Sequence, residues 1–182
     1  LSDARVAGEA LVSSKAVTIS TADIAALEAR LRAADPKIYG VLDSVDEPDV
    51  VDRANDNKDR CTNLYIGSAE RDYWAISPYL LLMNAEDLEW IQTSLQPDSW
   101  GILAETTADL STMKRHFRKF LTVRDGASGR FLLFRFYDPR VLPVFLESCS
   151  VQQAREFFGP ISTYYFFSDP DTAWQAKLTE IG

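Results

Sequence analysis

The chain carries two cysteines and one histidine among 182 residues. Cys61 and Cys149 stand far apart, with no CxxC or Cys/His grouping beside either, so zinc spacings are excluded and two reduced thiols are expected. Glycine and proline are scarce, eight of each, which argues against low-complexity or fibrous sequence. No apolar stretch reaches about 18 residues, so no membrane-spanning helix is predicted. Residues 1–20 lack the basic-then-apolar order of a secretory signal, and with so few cysteines this points to a cytoplasmic location. Basic residues are also in deficit: 19 Lys and Arg against 27 Asp and Glu give a net charge of −8. That balance opposes binding to phosphate backbones and argues against a nucleic-acid partner.

What is present describes an ordinary globular chain, with 46% hydrophobic and 25% charged residues, of a size that fits one domain. The division expected is an arm over residues 1–19, an α/β domain over 20–168 and a C-terminal helix over 169–182. Thr21 and Asp23 open a helix with Ile24, Leu27, Leu31 and Ala34 on one stripe, and Ile38 to Leu42 reads as a buried strand. The acidic segment from Ser44 to Cys61 reads as a loop holding a short helix around Val50 to Ala54. Strands follow at Asn63 to Ile66 and Ile76 to Met83, then a helix capped by Asn84 with Leu88, Ile91 and Leu95 inward, then a strand from Trp100 to Ala104. Thr107 and Asp109 open the most amphipathic helix, whose inner stripe is Leu110, Met113, Phe117, Phe120 and Leu121. Leu121 to Arg124, GASG and the run from Arg130 predict a hairpin. Asp169-Pro170 predicts a last helix with Trp174, Leu178 and Ile181 facing in. Strands alternating with helices predict a mixed β-sheet with helices packed on its faces in a single compact domain.

The chain is organised around residues 130–160, RFLLFRFYDPRVLPVFLESCSVQQAREFFGP. Its near-continuous apolar start reads as a central strand covered on both faces. Asp138 and Pro139 then read as cap and first residue of a short helix from Arg140 to Leu146, with Pro143 tightening or kinking it. Ser150 with Gln153 forms a capping box for a second helix, which Gly159 and Pro160 end. Arg135 must find a partner within so apolar a run, and Asp138 is the nearest carboxylate.

Several motifs are missing or weak. His116, between Arg115 and Phe117, reads as lying on the solvated side of its helix. With no GxSxG elbow it does not suggest a catalytic triad. GASG has neither the spacing nor the lysine of a phosphate loop. Carboxylates are plentiful around Asp43 and Asp49, and without set distances they read as a solvated acidic loop. Lys114, Arg115, Arg118, Lys119 and Arg124 form a basic patch that suits a helix C-terminus and equally a docking surface for an acidic partner. The residues alone therefore describe a binding module with no visible catalytic or cofactor apparatus.

The sequence RFYDPRVL, followed by FL and FFGP, resembles the signature of the adaptor or chaperone family that loads effectors onto the spike of the bacterial type VI secretion system. YGVLD at 39–43, NLYIG at 63–67, SPYLLL at 77–82, SWGIL at 99–103 and HFRKFLTV at 116–123 recur in the order that family leads one to expect, over roughly residues 36–168. The resemblance implies non-covalent binding of a secreted effector, delivery to a VgrG or PAAR spike protein, no cofactor and a bacterial cytoplasmic location. It assigns Arg135, Tyr137, Asp138, Pro139, Arg140, Gly159 and Pro160 to a structural signature. Related adaptors often continue into a variable C-terminal lobe, so this sequence reads as a minimal or truncated form. Two rivals remain open here: an immunity protein that inhibits a toxin, and a small hydrolase using Asp43 and Asp138.

Overall fold

The starts of four helices follow capping residues. The structure, a computed structural model, describes residues 12–13, 16–45, 47–96, 99–169 and 171–179. Two strands, β1 (Val12–Ser13) and β2 (Val17–Ala22), precede α1 (Ile24–Ala33), where the Asp23 carboxylate accepts from the amides of Ala25 and Ala26. Next come β3 (Lys37–Asp43), α2 (Asp49–Asp56), β4 (Cys61–Asn63), α3 (Ser68–Asp72) and β5 (Pro78–Leu82). A complete Asn84/Asp87 capping box starts α4 (Ala85–Ser94), which leads to β6 (Gly101–Thr106). Asp109 caps α5 (Leu110–Arg118), and β7 (Thr122–Arg124) and β8 (Phe131–Leu133) form the expected hairpin. After α6 (Leu142–Ser148), the Ser150/Gln153 capping box starts α7 (Val151–Phe158), followed by β9 (Ile161–Asp169) and β10 (Thr172–Leu178).

The α/β class and the helix-covered sheet are as expected. Eight strands lie in the order β1-β2-β10-β9-β6-β3-β5-β4, and every neighbouring pair is antiparallel. The strand–helix–strand units that suggested a mixed sheet do exist. In β5–α4–β6 the two strands run parallel but β3 lies between them, and in β2–α1–β3 three strands intervene. Alternate side chains of each strand serve opposite faces. On one face Ile38, Leu42, Leu81 and Leu103 meet Leu27 and Leu31 of α1, Val50 of α2 and Leu88 and Ile91 of α4. On the other, Tyr39, Val41, Leu80 and Ile102 meet Met113 and Phe117 of α5, Leu142 of α6 and Phe157 of α7.

Four local readings are corrected. Residues 130–136 do not form a central strand; only Phe131–Leu133 is a strand, its partner among the described residues is β7, and all three residues are exposed. An unbroken apolar run looks the same whether it is covered or left bare, so pattern alone could not separate the two. The helix expected from Arg140 begins at Leu142, with Pro143 in its first turn, where it does no harm to the hydrogen-bond ladder. The segment expected as a terminal helix is β10, paired with both β9 and β2. Trp174 and Leu178 are four apart, a spacing that fits a strand face as well as a helix stripe; Ile181 lies outside the described residues. The strand expected over Asn63–Ile66 is shifted to Cys61–Asn63, and Ile66 is exposed.

Candidate functional site

The signature turn begins where the β7–β8 ribbon ends. The amide of Phe134 donates to the Leu121 carbonyl at 2.8 Å, and the chain then dives into the core. Phe136 stacks on Phe117 with ring centroids 5.4 Å apart and meets Phe157 edge-on at 5.6 Å. Arg135 reaches back to the end of β3, where it pairs closely with the buried Asp43, and its Nη2 lies 3.9 Å from Asp138. Asp138 in turn accepts from the backbone amide of Arg140 at 2.9 Å and from its guanidinium at 2.9 and 2.8 Å. Arg135 thus has two carboxylate partners, and the nearer is Asp43, 92 residues away in sequence, not the neighbouring Asp138. Burial alone would raise the Asp138 pKa; the hydrogen bonds from Arg140 and the charge of Arg135 outweigh it and hold the carboxyl below its ordinary range. Tyr137 is buried against the phenol of Tyr65, and desolvation raises its pKa.

Tyr65 carries this brace to the wall of a groove of about 510 Å³. One side of the groove is the segment after β4, with Leu64, Tyr65, Ile66, Ala69, Tyr73 and Ile76; the other is Leu121, Thr122 and Leu133 of the ribbon, with Arg118 between. The ribbon lengthens the groove. Thr122 pairs with Leu133 and Arg124 with Phe131, and residues two apart share a strand face, so Phe131 and Arg124 stand on the face that carries the lining residues Thr122 and Leu133. Phe131 is 76% exposed and Leu133 52%. Tyr73 and Ile76, which line the groove, are exposed, and so is Trp74 between them in sequence. Contiguous bare apolar surface of this kind marks an interaction site.

The basic patch divides in two. Arg118 donates from Nε to the Leu64 carbonyl at 2.9 Å and from Nη2 to those of Tyr65 at 3.0 Å and Asn63 at 3.3 Å, so it fixes the groove wall. Lys114 donates to the Thr62 hydroxyl at 2.6 Å. Arg115 and Lys119 face solvent, and Arg124 bonds the Gly129 carbonyl inside the hairpin at 3.2 Å. His116 is not on the solvated side as expected; it is buried, and its Nε2 contacts the Phe157 carbonyl at 2.9 Å. A carbonyl only accepts, so Nε2 carries the proton, and burial lowers the pKa of the ring. Gly159 explains the fit. Its φ is +49°, and a Cβ there would fall 2.5 Å from the imidazole. Pro160 fixes the same corner by accepting the Thr106 hydroxyl at 2.7 Å.

Asp43 and Asp138 do share one neighbourhood, yet each is bound to arginine and neither lines the groove. Among the described residues no group of three or more His, Cys, Asp or Glu side chains is placed to hold a metal ion, and no helix is long and apolar enough to cross a membrane. Sequence reasoning missed Tyr73, Trp74 and Ile76 as surface residues; the signal was two adjacent aromatics set among polar residues just before a buried strand.

A family described as a domain of unknown function, DUF4123, matches residues 38–156. This chain belongs to that family. The matched DUF4123 stretch runs from β3 into α7 and contains every residue that lines the groove and every residue of the Asp43–Arg135–Asp138–Arg140 brace. Membership is compatible with the resemblance to effector adaptors. No curated protein and no solved structure matches the chain.

Proposed function

We propose that this DUF4123 protein is an adaptor that binds a cognate type VI secretion effector in the bacterial cytoplasm and helps load it onto the VgrG or PAAR spike. It acts by recognition, without a catalytic step and without a cofactor. The observation that carries this reading is the bare apolar face formed by the groove and by Phe131 and Leu133, which a folded domain does not need for its own core. The brace behind it supports the same role: a rigid wall keeps the binding face in shape before the partner arrives and lowers the ordering cost of association.

The test is co-expression of the protein with the products of its neighbouring genes, followed by purification through a tag on this chain. An effector that co-purifies in a stable complex and is still active while bound supports an adaptor. A toxin that is inactive only while bound would make the protein an inhibitor instead. Turnover of a small molecule by the purified protein alone would overturn the reading.

A further inference from the structure

We propose that the groove and the ribbon face beyond it receive an amphipathic segment of the effector whose apolar side chains are flanked by aspartate or glutamate. This inference rests on the adaptor reading and adds the chemistry of the segment bound. The lining supplies the apolar half of the argument: Leu64, Ile66, Tyr73, Ile76 and Leu133 leave few polar groups for a ligand to satisfy. Charge supplies the other half. On a chain with net charge −8, Arg118 lies in the groove itself, Lys114 stands one helical turn away, and Arg124 shares the ribbon face with Phe131. None of these three cations forms an ion pair among the described residues, whereas Arg30, Arg53, Arg60, Arg135 and Arg140 all do.

The Arg118 hydrogen bonds all use Nε and Nη2, so Nη1 is the donor that an incoming carboxylate meets. Lys114 and Arg118 also repel each other and are partly desolvated, and the one carboxylate they both feel, Glu70, is not within ion-pair distance of either among the described residues. A ligand carboxylate relieves that repulsion. A second copy of this chain fits poorly, because a two-fold contact through the groove sets the same cations against each other. The concave shape favours an inserted segment over a flat lipid surface.

The probe is a fluorescein-labelled peptide of about 14 residues, roughly four helical turns, with leucine at i, i+3, i+4 and i+7 and glutamate elsewhere, compared with the same peptide carrying lysine for glutamate. Fluorescence anisotropy is expected to show the glutamate peptide binding about tenfold or more tightly than the lysine peptide. Leu133→Asp should abolish binding and Arg124→Glu should erase the preference; both side chains are exposed, so the fold survives. Equal affinity for the two peptides, no binding of either, or binding unaffected by Leu133→Asp overturns the inference. So does capture of phosphatidylglycerol vesicles, lost in Leu133→Asp, by a protein that ignores both peptides. The adaptor reading fails separately. If a co-purified effector binds the Leu133→Asp protein as tightly as the parent, the adaptor stands and the groove falls. If the peptide preference holds while no effector is ever bound, the groove stands and the adaptor falls.

Discussion

Phe131, Leu132 and Leu133 are exposed, at 76%, 48% and 52%, whereas Phe136, Tyr137 and Pro139, a few residues later in the same stretch, are buried. Chemically the two halves are alike; what differs is the contacts. The second half enters an aromatic cluster with Phe117 and Phe157 and is tied down by Arg135 and Asp138. The first half has one β-strand neighbour among the described residues and leaves its side chains exposed. Hydrophobicity in the second half is therefore explained by stability, while in the first half it has no such use. A side chain that gains nothing from the fold is best accounted for by a partner.

Substitutions should separate the halves by size of effect. Phe136→Ala, which empties a site inside the aromatic cluster, is expected to cost about 3–5 kcal/mol in urea unfolding; a loss under about 1 kcal/mol would mean that the second half does not anchor the domain. Asp43→Ala strips Arg135 of its close partner. Because the Arg135 side chain keeps 33% of its surface exposed, the expected loss is smaller, about 1–3 kcal/mol, and no loss would show the brace to be idle.

Acid should weaken the buried half before it touches the ribbon. His116 is held neutral by burial, its pKa below the ordinary 6.5. The unfolded chain therefore binds that proton first, so the stability present above 6.5 declines as pH falls below it toward the folded value. Asp87 and Asp138, both held below 3.8 although burial opposes this, add a second loss as pH falls under that value. Urea midpoints at about pH 7.5 and 5.5 should differ in the parent and converge in His116→Gln; an equal difference in both would remove His116 as the cause. The smallest effect belongs to the bare half: Phe131→Ser with Leu132→Ser should shift stability by no more than about 0.5 kcal/mol, and a larger loss would reassign those residues to folding.

Much of this was written locally in the sequence. Asp23, Asn84, Asp109 and Ser150 each start a helix through a short-range hydrogen bond, and short-range chemistry is legible. The hairpin at 121–133 was legible for the same reason. What escaped depends on distant partners. Nothing near Arg135 announces Asp43, and nothing near His116 announces the Phe157 carbonyl or the glycine that makes room for the ring. The groove is of the same kind, since its two walls come from segments some 50 residues apart that only the sheet and α5 bring together.

Hydrogen–deuterium exchange on the protein alone and in complex with its co-purified effector would show whether the groove is where the partner sits. Protection on binding is expected to centre on residues 64–76 and 121–134, with the signature turn at 135–140 already protected in the free protein. Protection confined to other surfaces, with both groove walls exchanging as freely as before, would contradict it.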